Sequence, residues 1–275
     1  QRQMCIRDRR ERGAPLETEV TQESMLFLTE TKSYAIPWLD RVMPHMRNHG
    51  NYVVSLGAVC RWLGAQAEEM GIEIYPGFSG ADLFIEDGRV AGVVTGDMGM
   101  TREGKPGPNF APGMILRARQ TILAEGVRGS LTKKAMALFG LRDGVDPQTY
   151  GLGIKEVWEI PAENHRPGLV QHSFGWPMDD RTYGGAWLYH FGEYLVSYGF
   201  VTGLDYANTY LSPFHEMQRV KNHPAFRRHF EGGRRIAYGA RALSEGGLQS
   251  IPRLSFPGGV LTGDSAGFLN VPKIK

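Results

Sequence analysis

This sequence is short of the residues that many chemistries require. It has two cysteines in 275 residues, Cys5 and Cys60, far apart and in no CxxC pair. Neither a disulfide framework nor a zinc or iron–sulfur ligand set can be assembled from them, and a reducing compartment is expected. No apolar run approaches the roughly 18 residues of a membrane-crossing helix, and no signal-peptide core opens the chain, so membrane contact is expected to be peripheral or monotopic. The net charge is +2. That gives no electrostatic case for nucleic acid, and the basic positions Lys221, Arg227, Arg228, Arg234 and Arg235 read as a solvated face. GxGxxG and HExxH are missing, and no nucleophile elbow or Ser/His/Asp arrangement is read. No catalytic residue and no metal ligand is therefore assigned.

What is present is globular, with 41% hydrophobic residues, 36 glycines and 16 prolines. The opening "QRQMCIRDRRERGAP" has no structural period, and residues 1–12 read as a non-native leader or a solvated arm. "SMLFLTETKSYAIPW" sets two apolar runs, Met25 to Leu28 and Tyr34 to Trp38, about a polar turn, the pattern of a hairpin. Both runs are continuously apolar, which suits burial between layers; Phe27, Tyr34 and Trp38 beside Lys32 also suit a lipid interface. "NYVVSLGAVCRWLGAQAEEMGIEIYPG" predicts strand, helix and strand, with Val59, Leu63, Ala67 and Met70 as the helix's apolar stripe and Ile72 to Tyr75 as the second strand, a βαβ-like unit. "EDGR" marks a hairpin, "TREGKPGPNFAPG" reads as a loop, and a strand ending at Ala124 leads through Glu125–Gly126 to a helix carrying Leu131, Ala135 and Leu138. From Tyr150 the texture turns aromatic and glycine-rich, predicting successive antiparallel strands, before helical signals return at "SPFHEMQRVKNHPAFRRHF".

Two strand-to-glycine turns lie on either side of this β-rich stretch, "TILAEGVRG" and "GVLTGDSAG". Small residues let a backbone approach a ligand, and a carboxylate such as Asp264 can accept hydrogen bonds from a ribityl or sugar hydroxyl. Each motif is also an ordinary strand-to-loop turn; together they suggest the cofactor-facing turns of a flavin domain. In "DRTYGGAWLYH", Gly184 and Gly185 leave main-chain groups uncovered for a flat, uncharged ligand, or simply make a tight turn. His172 and His190 near this pair are noted without a role.

"GNYVVSLG", "PQTYGLGIKEVWEI", "GWPMDDRTYGGAWLYH", "GLDYANTYLSPFHEMQRVKNHP" and "EGGRRIAYGARALSEGGLQSIPRLSFPGG" together resemble the electron transfer flavoprotein–ubiquinone oxidoreductase family, in order and at similar spacing. The resemblance runs from about Gly13 to Lys275. It implies a glutathione-reductase-like FAD-binding domain of α/β and α+β character, interrupted by a β-rich ubiquinone-binding domain. On that pattern residues 1–148 and 249–275 form the FAD domain, 149–248 the quinone domain, and 25–43 a membrane-contacting hairpin. It implies FAD at Glu125, Gly126, Gly263, Asp264 and Gly267, and ubiquinone at Gly184 and Gly185. It further implies a [4Fe–4S] cluster whose ligands this sequence lacks, electron transfer flavoprotein as protein donor, and attachment to a mitochondrial inner or bacterial cytoplasmic membrane. Family members begin earlier, with the GxGxxG unit, and continue into the cluster domain. The chain therefore reads as an internal fragment, expected to bind FAD weakly or not at all by itself and to be inactive alone. A related FAD-dependent hydroxylase or reductase, and a non-catalytic membrane-binding piece, are the alternatives.

Overall fold

The structure, a computed structural model, describes residues 9–37 and 44–269. Cys5, Trp38 and residues 39–43 of the expected membrane-contacting hairpin, as well as the last six residues, lie outside the described residues.

The first stretch carries β1 (Thr18–Glu19), β2 (Gln22–Leu28), β3 (Ser33–Ala35), β4 (Tyr52–Val53) and α1 (Leu56–Glu69). Then come β5 (Gly80–Glu86), β6 (Arg89–Thr95), β7 (Met98–Met100), β8 (Pro106–Ala111), β9 (Ile115–Arg117), β10 (Thr121–Leu123) and α2 (Ser130–Leu138). The middle holds β11 (Tyr150–Glu159), β12 (Leu169–Gly175), β13 (Gly184–Phe191), β14 (Leu195–Gly203), α3 (Pro213–Asn222) and the single turn α4 (Pro224–Arg227). Last are β15 (Arg234–Ser244), β16 (Ser255–Phe256) and β17 (Gly259–Leu261). By contact these divide into two units: residues up to Ile74 with Gly151–Ala242, and Tyr75–Tyr150 with the chain from Leu243 on.

The first unit is built on a seven-stranded sheet in the order β15-β11-β14-β13-β12-β2-β3. Alternation of large apolar residues along β13 and β14 buries Leu188, Val196, Tyr198 and Phe200 against Met217, Val220 and Phe226 of α3 and α4. Pro213 and the Ser212 hydroxyl, which accepts from the His215 amide at 3.4 Å, start α3. Tyr198 donates its hydroxyl to the Met217 carbonyl at 2.7 Å, fixing helix to sheet. The second unit contains the hairpin of β5 and β6, whose turn residues Asp87 and Gly88 both have positive φ, as a tight primed turn demands. It also contains a three-stranded sheet in which β10 and β17 run parallel, with Leu83, Leu123, Leu131, Phe256 and Leu261 in its core.

Three expectations are corrected. Ile72 to Tyr75 form no strand, and β4 pairs antiparallel with β1, so the stretch is not a βαβ unit: the apolar alternation there finds no neighbouring ladder. The expected helix forms as α1, but its apolar stripe is not fully covered: Val59 and Ala67 are half-buried, whereas Leu63 is 52% and Met70, just past the helix, 78% exposed. The supposed loop 101–113 contains β8, hydrogen-bonded to β7. The contact grouping also differs from the expected boundaries. β2 pairs in parallel with β12, Met25 opposite His172, and this ties the first 74 residues to the β-rich unit.

Candidate functional site

In the second unit β10 and β17 are adjacent and parallel, with Leu123 opposite Leu261, so the turns that follow both strands emerge side by side. The carboxyl ends of neighbouring parallel strands are where open α/β sheets present their ligand crevices. The Thr262 amide donates to the Leu123 carbonyl at 3.1 Å, and the Ser265 hydroxyl donates to the Gly126 carbonyl at 3.0 Å. Two turns almost 140 residues apart in sequence thus form one surface.

Gly126 and Gly263 have φ of 79° and 60°, a conformation that glycine adopts without a steric penalty, and open space lies where a β-carbon would stand. Gly263–Ala266 make a single 3-10 turn closed by Gly267 at φ 76°, whose amide donates to the Asp264 carbonyl at 3.1 Å. A β-carbon on Gly267 would lie 2.9 Å from Gln148 Nε2. Asp264 Oδ1 accepts from the Ser244 amide at 3.2 Å, which orients the carboxylate. Glu125 behaves differently: its two oxygens accept from the amides of Leu131 and Thr132 at 3.2 and 2.6 Å, and from the Thr132 hydroxyl at 2.8 Å. Its carboxylate caps α2, a role that the N-cap residue Gly129, having no side chain, cannot fill. A cavity of about 470 Å³ opens here, with Arg128, Lys133, Gln148, Tyr150 and Asp264 in its wall. Donors, acceptors and an aimed carboxylate at the mouth of a parallel pair suit the ribityl and phosphate portions of a flavin nucleotide.

In the first unit Gly184 and Gly185 begin β13 and do not form a hairpin turn. They pair with Thr202 and Val201 of β14, while the β12–β13 pairing ends at Ser173 and Ala186, which leaves one side of the glycine pair without a ladder partner. Both positions also have a packing reason to be glycine. A β-carbon on Gly185 would come 2.5 Å from the Ser173 carbonyl, and one on Gly184 2.8 Å from that of Val201.

His172 and His190 belong to separate arrangements. His172 Nε2 lies 2.7 Å from the Tyr189 hydroxyl, and burial pushes that phenol above its ordinary range. His172 also lines a cavity of about 220 Å³ with Glu23, Met25, Ile36, Met46 and Asn48. His190 is fully buried, accepts from the Arg166 amide at Nδ1 (3.1 Å) and meets His229 Nδ1 through Nε2 at 3.0 Å. Burial first, then the charges of His229, His165 and Arg166, push His190 down to about 3. Among the described residues no group of three or more His, Cys, Asp or Glu is placed to hold a metal ion, and none of their helices is long and apolar enough to cross a membrane. In the hairpin, Phe27 packs edge-on to Phe174 at 5.5 Å; Phe27 is 40% and Tyr34 52% exposed.

Ser244, Gln148 and Ser265 were not singled out by sequence. Ser265 stands inside the "GDSAG" motif, whereas Ser244 and Gln148 carry no local signal and arrive by tertiary folding.

Residues 150–243 match the family described as "ETF-QO, ubiquinone-binding". The chain is 54% identical over 271 residues to the mitochondrial electron transfer flavoprotein–ubiquinone oxidoreductase of Rattus norvegicus, covering 98% of this chain and 44% of that protein. It is 51% identical over 270 residues to the probable electron transfer flavoprotein–ubiquinone oxidoreductase of Acinetobacter baylyi, covering 97% and 47%. The chain thus spans less than half the length of the curated relatives it matches. Among solved structures, a geranylgeranyl bacteriochlorophyll reductase-like protein of Thermoplasma acidophilum superposes with a TM-score of 0.65 at 17% identity, covering 91% of this chain and 56% of that one. The flavin-dependent brominase Bmp2 does so at 0.61 and 14%, covering 98% and 61%. These two likenesses concern the fold alone, a mixed α/β architecture shared with flavoproteins.

Proposed function

Because this chain belongs to the electron transfer flavoprotein–ubiquinone oxidoreductase family, we propose that it is the flavin- and quinone-binding core of an enzyme that passes electrons from reduced electron transfer flavoprotein to ubiquinone. The observation that carries this reading is the pair of parallel strands β10 and β17, whose turns are joined by the Ser265–Gly126 hydrogen bond beside a cavity fit for a nucleotide.

FAD, when bound, supplies the redox chemistry. The chain's own residues do the holding. Gly126, Gly263 and Gly267 shape a backbone surface without side-chain obstruction, and Asp264, oriented by the Ser244 amide, accepts from a ribityl hydroxyl. Glu125 keeps its turn in place by capping α2. In the β-rich unit Gly184 and Gly185 offer main-chain groups on their unladdered side to the neutral carbonyl oxygen of ubiquinone. No side chain need act as nucleophile or general acid. The [4Fe–4S] cluster of this reading draws its cysteine ligands from outside this stretch, which has two cysteines.

The exposed Phe27 and Tyr34 of the β2–β3 hairpin support a monotopic seat on a mitochondrial inner or bacterial cytoplasmic membrane. As to domains, the unit of 75–150 and 243–275 is the flavin-binding one and 151–242 the quinone-binding one.

The test is a chimaera of the rat relative in which this chain replaces the matched 271 residues. Donor-dependent ubiquinone reduction with stoichiometric FAD is the expected result. A chimaera that folds and binds FAD but reduces no quinone would refute the quinone assignment, and one that folds without FAD would refute the flavin assignment.

A further inference from the structure

The two faces of the seven-stranded sheet differ. One packs on α3 and α4. The other carries Met25 of β2, His172 of β12 and Trp187 of β13 side by side in register, with Tyr189 two residues further along β13 and Gly185 two residues the other way. Residues two apart on a strand share a face, so Gly185, His172 and Tyr189 lie on one surface. His172 stands roughly 7 Å along the strands and 5 Å across them from Gly185.

His172 connects two environments. Toward β2 it lines the cavity of about 220 Å³ whose wall includes the exposed Glu23. Toward β13 its Nε2 lies 2.7 Å from the Tyr189 hydroxyl. Glu23 accepts from the Asn48 amide at 2.7 Å and is flanked by Arg47 and His49 in a neighbouring cavity, so the charged groups on this side reach solvent. Burial raises the Tyr189 phenol above its ordinary range and keeps it neutral, which means that it gives up a proton only as it receives one.

Electron transfer by itself needs no proton donor, but a quinone that takes two electrons becomes a quinol only by taking two protons as well. Main-chain amides at the glycine pair keep their own hydrogens, so those protons have to be brought to the site. We propose that His172 and Tyr189 relay a proton from this cavity to the quinone. Tyr189 passes its hydroxyl proton to one quinone oxygen as the N–H at His172 Nε2 replaces it, and solvent entering past Glu23 reprotonates His172. The other oxygen takes its proton from solvent, and both electrons come from the enzyme's redox chain. The relay rests on the functional reading above, which seats the quinone at Gly184 and Gly185.

The chimaera described above, carrying H172Q, Y189F or both, tests this. It is reduced beforehand, freed of reductant, and mixed with ubiquinone-1, which needs protons, or with ferricenium, a one-electron acceptor that needs none. Each single variant should slow reoxidation by ubiquinone-1 about a hundredfold and leave reoxidation by ferricenium unchanged. The double variant should lose no more than either, because a relay broken once carries nothing. Affinity for ubiquinone-1, read from quenching of tryptophan fluorescence, should stay the same, and D2O should slow the wild-type reaction with quinone alone. Equal losses with both acceptors would assign the pair to structure and overturn the relay. Unchanged reoxidation by ubiquinone-1 in the variants removes the relay and leaves the quinone reading standing. A wild-type chimaera that reduces ferricenium but not ubiquinone-1 refutes that reading, and the relay with it. Should H172Q misfold, Y189F, which keeps the ring and loses only the hydroxyl, decides the question by the same two rates.

Discussion

Ser265 donates its hydroxyl to the Gly126 carbonyl at 3.0 Å, joining the turn after β17 to the turn after β10. Ser265 is buried, so its removal leaves the Gly126 oxygen short of a partner. Ser265→Ala is expected to cost about 1 kcal/mol in urea unfolding. It should also weaken the flavin binding proposed for these turns, because they lose their mutual register. Flavin affinity that stays constant while stability falls would show that the tie serves the fold alone.

Much of this junction was legible in the sequence. Glycines after short apolar runs are required where the chain turns at positive φ, and Gly126, Gly263 and Gly267 do so. The "EDGR" hairpin and the antiparallel run from Tyr150 were legible for a similar reason, since turn chemistry and alternation are local. What failed was long-range. Ile72 to Tyr75 alternate like a strand, but a strand exists only where a partner's ladder meets it, and sequence pattern is silent on partners. β2 joins β12 in parallel across 147 residues, a pairing no local signal encodes. Glu125, given as an FAD contact by resemblance alone, turns its carboxylate to the first-turn amides of a helix whose own N-cap is a glycine, an arrangement no local pattern encodes.

Glu156 is a buried carboxylate placed between two cations, accepting from Lys221 Nζ at 2.9 Å, from Arg235 Nη1 at 3.2 Å and from the Trp158 indole at 2.8 Å. Burial raises the carboxyl's pKa, but the hydrogen bonds from Lys221 and Trp158 outweigh it and hold the group below its ordinary range. Glu156→Ala leaves the largely covered Lys221 without its carboxylate partner and is expected to cost about 3 kcal/mol in urea unfolding. For the wild type, a carboxylate with a depressed folded pKa contributes stability that is present above the unfolded value of 4.5 and lost as pH falls below it. That acid limb should be shallower in the variant.

His190 and His229 give a second, separable acid limb. Burial, followed by neighbouring positive charge, pushes them down to about 3 and about 4, and each is hydrogen-bonded to the other. The unfolded chain takes up these protons near pH 6.5, the folded one far lower, so stability is complete above about 6.5 and falls as pH drops through the window between. The decline should reach up to about 1.4 kcal/mol per pH unit per histidine. His229→Gln, which cannot be protonated, should flatten the profile between pH 6 and 4 without altering the limb near Glu156. An unchanged slope would mean that protons enter elsewhere.

The glycine pair requires a more careful test than simple replacement, because the backbone crowds it. A β-carbon at Gly185 would stand 2.5 Å from the Ser173 carbonyl, a contact that neither fixed backbone can relieve. Gly185→Ala should therefore destabilise the seven-stranded sheet by about 1 to 3 kcal/mol, whatever it does to a quinone. Activity lost in this variant does not by itself identify a binding site. The separating measurement is the KM for a short-chain ubiquinone analogue, taken at a temperature where both proteins are fully folded and both still accept electrons from the protein donor. A raised KM with unaltered flavin reduction assigns the pair to quinone binding. An unaltered KM, with only the melting temperature lowered, assigns these glycines to packing and removes the quinone site proposed for them.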